Sequence, residues 1–404
     1  MAEDAMSDPI VSRKDCFWSR LAGLRWLAGE PYRIFFASGV LWSVAAVALW
    51  PLFYAGKLAF YPSVAHARLM IEAFGGAFVA GFLGTAGPRM ASAPRLSWCE
   101  LGALFALHQA SAVCHLTLRT AWGDGLFAAM LVLLMASLAG RVIRFRDDPP
   151  PPQMLLALAG LGCGVAGAVL PWCSGPAPGE MMLRLPGLLL NQGFLLLPIL
   201  GIGSFIFPRM LGGKFGEPGG PQRRAKLVQS LAPALLILAS FFLEAGGWRV
   251  TGTALRAGVF IIYLLTEVRW RKQAGEARGS LATGLKWALA LGALGLALAY
   301  MQGEAHRISI THLLYVAGFG LLMLIVGSRV LFGHSGDLAG FARRSGWVRF
   351  LIFLGVLAAV TRATPAWLPS TTVSHHIYAA WTWGLLALLW LIWHRRRFVT
   401  RDEE

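Results

Sequence analysis

Twelve apolar runs, separated by short polar or basic connections, divide this 404-residue chain. They fall at roughly 33–54, 66–88, 99–119, 123–143, 153–171, 187–207, 227–246, 252–270, 283–300, 308–332, 347–364 and 376–394. A helix needs about 20 mostly apolar residues to cross the hydrocarbon core of a bilayer, and each run approaches that length. Too little sequence is left between them for a soluble domain. The expected fold is all-α: a polytopic membrane bundle of about twelve transmembrane helices over residues 33–394. Residues 1–32 are expected to be a cytoplasmic N-terminal segment, and 395–404 a cytoplasmic tail. Within the first segment Phe17, Leu21, Leu24 and Leu27 recur at helical spacing among Arg20 and Arg25, as in an interfacial helix on the inner leaflet. Met1–Glu30 lacks the basic start, apolar core and cleavage site of a signal peptide.

A weak internal repeat runs through the same pattern. Pro88-Arg89-Met90 closes the second run and Pro208-Arg209-Met210 the sixth, while Gly327-Ser328-Arg329 lies near the end of the tenth. All three runs are glycine-rich and stand four apart, as a fold built from four-helix repeats requires. Even-numbered runs all end on the basic side, so the sequence alone leaves the repeat open.

Composition confirms the membrane class: 56% hydrophobic and 14% charged residues with mean hydropathy +0.60 exclude an ordinary soluble domain. The net charge of +16 does not call for nucleic acid. Alternate connections are rich and poor in Lys/Arg, and 28 of the 36 Lys/Arg fall on the rich side together with both termini. Short cytoplasmic loops of membrane proteins carry that excess, so both termini are expected in the cytoplasm, as an even span count demands.

The histidines are distributed the other way. Six of nine (His66, His115, His306, His312, His375 and His376) lie in or near the Lys/Arg-poor connections. Neutral imidazole is not sorted by topology, so metal or haem ligation near the outer face becomes a candidate cause. His66, His115, His312 and His376 sit at outer ends of spans and can converge. Met70 follows His66 by one helical turn and offers a soft thioether for reduced copper. His108 and His115 share a face of the third span, about 10 Å apart along its axis. His312 and His334 bracket the tenth span, about 33 Å apart on a straight helix, and cannot share a centre. His306 is expected to be solvated and His394 to lie at the inner surface. Carboxylates within spans are few: Glu72, Glu100 and Glu244. The five cysteines include no C-x-x-C and no C-x-x-C-H, which argues against a zinc knuckle and covalent c-type haem. Cys114 and Cys173 both fall toward the outer face, but buried hydrophobes are the default reading of scattered thiols.

Two longer stretches extend the reading. Ala65-His66-Ala67-Arg68-Leu69-Met70, then Gly75 and Gly81-Phe82-Leu83-Gly84-Thr85-Ala86, resembles a signature of the NnrS family: W-H-A-H-E-M, a glycine-rich helix, G-F-L-x-T-A. Thr311-His312-Leu313 through Gly318, Gly320 and Met323 to Arg329 and Gly333-His334-Ser335-Gly336 resembles the second: W-H-A-L, a glycine-rich helix, R-x-x-x-G-H-T-G-R. Pro31-Tyr32-Arg33-Ile34-Phe35-Phe36 is similar to the family's start. The resemblance implies a bacterial inner-membrane protein with non-covalent haem, and with copper, that meets nitric oxide or a related small ligand in nitric oxide metabolism or nitrosative-stress protection. His66, His312 and His334 are the residues it carries over. The family's second His and Glu of the first signature are Arg68 and Leu69 here, and the last Arg of the second is Asp337. These departures point to a divergent branch with an altered copper site.

Two other readings compete. A secondary transporter for a small solute also has twelve spans, with its site near the midplane at broken helices. A haem-copper oxidase or nitric oxide reductase subunit is also twelve-span, but the chain has no H-x-H pair and no intramembrane H-x-x-x-Y. The sequence points to no electron donor and does not settle whether turnover occurs.

Overall fold

Long apolar runs become helices because, without water, every backbone N–H and C=O must be satisfied within its own segment. The computed structural model describes residues 25–401 except 148, 176, 213–219, 269–278, 301–303, 338 and 341–342. The expected interfacial helix at Phe17, Leu21 and Leu24 lies outside these. Among the described residues there are twelve continuous helices: α1 Tyr32–Tyr54, α2 Ser63–Met90, α3 Trp98–Leu116, α4 Thr120–Arg144, α5 Met154–Cys173, α6 Glu180–Met210, α7 Gly220–Ala245, α8 Arg249–Thr266, α9 Ser280–Ala299, α10 His306–Gly333, α11 Gly346–Ala363 and α12 Thr372–His394. Eleven are long and apolar enough to cross a membrane; α3, which carries Glu100, His108, Gln109 and His115, is the other.

The packing repeats three times. α1 packs on α2, α5 on α6 and α9 on α10, while α3 packs on α4, α7 on α8 and α11 on α12. The junctions α4–α5, α8–α9 and α12–α1 link these units. Helices α2, α6 and α10 form the centre: 83, 78 and 78% of their most apolar windows are buried, against 33–56% for the other apolar spans. Each of the three contains a π-helical stretch near the Lys/Arg-poor end, at Leu69–Gly75, Leu189–Gly193 and Leu313–Leu321. Arg89, Arg209 and Arg329 stand at equal spacing at their other ends. The four-helix repeat that the sequence left open is therefore visible in both helix pairing and helix distortion.

Small residues bring the central helices close. A Cβ on Gly318 of α10 would lie 2.8 Å from the Gly292 Cα of α9, so these two backbones nearly touch. Gly318→Ala should cost about 1–3 kcal/mol as α9 and α10 are forced apart. Gly140→Ala, where a Cβ meets nothing within 4 Å, should be neutral or slightly stabilising. Unfolding midpoints in detergent measure both, and equal shifts would contradict this packing.

At the basic end, Arg33 pairs with buried Glu30 and donates to the Arg397 carbonyl (2.6 Å). Arg397 also binds Asp337 (2.7 Å). The guanidinium beside it holds the Asp337 carboxyl below the usual carboxylate range. Asp337 thus has a cationic partner in this chain. His394 is not at the surface as expected: it is fully buried, with its Nε2 3.0 Å from Ser328 Oγ and its ring among Trp390, Trp393 and Phe332. Its place as the last residue of α12, turned inward, overrides the basic sequence around it. The four described cysteines, Cys99, Cys114, Cys163 and Cys173, are free, and of these only Cys163 is buried.

Candidate functional site

The π-helical stretches matter because each widens a central helix beside a shared cavity. Such distortions leave backbone groups displaced and often mark functional sites. The cavity, of about 700 Å³, opens between the Lys/Arg-poor ends of α2, α6 and α10 and is completed by α1, α7, α8, α9, α11 and α12. Its deeper wall is apolar and aromatic, with Phe74, Leu195, Phe319 and Trp383.

His66, His312 and His376 all line this cavity, with Met70 and Met323. His66 sits three residues before the π stretch of α2, and His312 immediately before that of α10. The His66 Nδ1–H donates to the Ala46 carbonyl of α1 (3.0 Å). The His312 Nδ1–H donates to the Ile308 carbonyl one turn earlier (2.6 Å). A backbone carbonyl at Nδ1 fixes the tautomer and leaves the Nε2 lone pair as the free ligand atom. The Trp50 indole lies against both His66 (ring centroids 5.9 Å) and His376 (4.7 Å). The His376 Nδ1 is 3.0 Å from the Tyr54 hydroxyl.

The other sequence candidates lie elsewhere. His108 donates from Nε2 to the Ala73 carbonyl (2.7 Å), inside the π stretch of α2, and so ties α3 to that distortion. His115 is fully buried with its Nε2 2.8 Å from Glu72 Oε2, between α2, α3 and α4. His334 is at the opposite end of the bundle, stacked on Tyr32 (5.1 Å) and 3.2 Å from Arg89 Nη1. Distance along α10 keeps it out of the cavity, as its sequence position requires.

The arginines were not among the sequence candidates. Of the eight Lys/Arg on the poor side, Arg184, Arg256, Arg307 and Arg362 line the cavity. Arg256 is buried and binds Glu244 Oε2 (2.7 Å), Gln192 Oε1 (2.6 Å) and Ser240 Oγ (3.1 Å). Arg307 binds the other Glu244 oxygen (2.7 Å). Arg362 reaches the Ser309 hydroxyl at 3.3 Å and meets no carboxylate among the described residues. Arg184 is paired with Glu180 (2.8 Å), while Arg256, Arg307 and Arg362 share one lining carboxylate, Glu244, so the cavity carries an excess of positive charge. The signal was present in the sequence, since an arginine inside or beside an outer span end opposes the usual charge bias.

This donor set can do two things. Two imidazoles with free Nε2 atoms suit iron or copper, and the guanidinium groups suit carboxylates presented in a mostly apolar pocket. The volume lies within the ~300–1,000 Å³ common to cofactor pockets. The residues present therefore fit a haem: nitrogen ligands for the metal, cations for the two propionates and apolar walls for the ring.

No curated protein matches the sequence. A family model described as NnrS protein matches residues 26–401, nearly the whole chain. The chain belongs to the NnrS family.

Proposed function

We propose that this is a haem-binding integral membrane protein of nitric oxide metabolism or the nitrosative-stress response. His66 and His312 are its iron ligands. The observation that carries the reading is the pair of imidazoles lining one cavity from α2 and α10, each with Nδ1 engaged by a backbone carbonyl. Bound haem would supply an iron able to bind nitric oxide or a related small ligand in exchange for one of the two imidazoles. The chain's own residues do the rest. The Ala46 and Ile308 carbonyls hold both rings in the ligating tautomer. Arg362, with the half-compensated Arg307 and Arg184, would take the propionate carboxylates. Phe74, Phe319 and Trp383 keep water from the ring face. Met70, one turn below His66, is the thioether that would hold copper in its reduced form. Nitric oxide is small and apolar, so it can enter from the bilayer without a polar channel. The charge bias supports an inner-membrane protein with both termini cytoplasmic and the cavity toward the periplasm.

Purified wild-type protein should carry about one haem per chain and show a Soret band that shifts when nitric oxide is added. The π-distorted central helices around a charged cavity also suit the alternative, a secondary transporter for a small solute. A folded but colourless preparation that drives solute uptake into vesicles would establish that alternative and end the haem reading.

A further inference from the structure

Behind the cavity wall, on the opposite face of α2, lies a second cluster that the haem reading does not use. Glu72 (α2), His115 (α3) and Asp124 (α4) are 1, 0 and 4% exposed. One ligand atom from each lies within 4.8 Å of the other two. His115 Nε2 is 2.8 Å from Glu72 Oε2 and 3.9 Å from Asp124 Oδ1. Three ligands at about 2.0–2.2 Å from a tetrahedral metal stand roughly 3.4 Å apart, so both distances from His115 Nε2 lie within about 0.6 Å of that spacing, and the two carboxylates lie within 4.8 Å of each other. The sequence makes room for the ring: a Cβ on Gly123 would fall 2.4 Å from the His115 imidazole. Glu72 Oε1, His115 Nδ1 and Asp124 Oδ1 are buried without a well-aligned hydrogen bond, and the two carboxylate oxygens are approached by the Arg68 guanidinium.

With both carboxyls ionised the cluster lacks one positive charge, which either a shared proton or a divalent ion can supply. Arg68 Nε lies 2.8 Å from Asp124 Oδ1 and 3.3 Å from Glu72 Oε1, and its Nη2 is 3.2 Å from Asp124 Oδ2. One guanidinium thus faces two carboxylates. An uncompensated buried charge is costly, whereas a divalent ion would neutralise both carboxylates. The Arg68 side chain is 16% exposed, against 0 and 5% for its two partners, so it has a route out. His115 and Asp124 stand in the last turn of α3 and near the start of α4, on either side of the Thr117–Arg119 connection.

We propose that Glu72, His115 and Asp124 form a second metal centre, for one divalent first-row ion, in which Arg68 competes with the metal for the carboxylates. One imidazole and two carboxylates, with no thiolate or thioether, favour Zn²⁺ or Mn²⁺ over Cu⁺. The site is separate from the haem cavity and stands or falls independently of it.

The test is zinc binding to the purified full-length protein, counted after desalting and titrated against a chelator, with the haem spectrum recorded on the same samples. Wild type should bind one Zn²⁺ per chain that the double variant Glu72→Gln/Asp124→Asn does not bind. Arg68→Gln should bind it at least tenfold more tightly, and His115→Gln should lose it. His115→Gln keeps the site testable if the double variant fails to fold, as read by its elution from a sizing column. Zinc retention in wild type and Arg68→Gln no greater than in His115→Gln would overturn the site. Equal affinity in wild type and Arg68→Gln would overturn the competition. Loss of haem with zinc retained would count against the cavity reading alone.

Discussion

Arg256→Ala is expected to destabilise the bundle by about 3–5 kcal/mol, the range for breaking a buried ion pair from one side. The guanidinium is 1% exposed and holds three helices together. It binds Glu244 and Ser240 of α7 and Gln192 of the π stretch in α6, and it lies over the Phe241 ring (4.3 Å). Truncation would leave Glu244 with Arg307 as its one cationic partner among the described residues and would remove the guanidinium from the Gln192 side-chain carbonyl. Arg256→Lys should recover only part of the loss, because an ammonium cannot reach three acceptors with a planar fork. Equilibrium unfolding in mixed micelles measures the effect. A loss below about 1 kcal/mol would show that water or another side chain already compensates Glu244.

Most of the architecture was legible in the residues, for a simple reason. A bilayer demands long apolar runs and sorts Lys/Arg between connections, so the twelve helices could be counted directly. The π stretches could not be read, because the added residue per turn leaves a helix just as apolar as before. They recur at corresponding ends of α2, α6 and α10, whereas the weak Pro88-Arg89-Met90 and Pro208-Arg209-Met210 match marks the opposite ends of α2 and α6. Within the site, His66, His312 and His376 were legible from shared depth at span ends. His115 lies at a similar sequence depth but faces other helices, which depth alone does not reveal. Arg362, Arg256 and Arg307 were missed because they were read as part of an overall charge count. The cluster at Glu72, His115 and Asp124 was missed because its members come from three helices, and only packing brings them together. Arg68, read in sequence as a departure from the family pattern, proves to be the cation of that cluster.

The central claim is that His66 and His312 hold haem in the cavity between α2 and α10. Its most direct test is the haem content and Soret band of His66→Ala and His312→Ala, purified beside wild type and His334→Ala. Removing either imidazole removes a metal ligand while leaving the arginines and apolar walls in place. Both cavity variants should therefore lose at least nine-tenths of their haem or show an altered axial ligation, a magnitude of about 1.4 kcal/mol or more in binding. His334→Ala should keep the full band, because its ring lies at the opposite end of α10 against Tyr32 and Arg89. Wild-type haem content and an unchanged Soret band in both His66→Ala and His312→Ala would contradict the account.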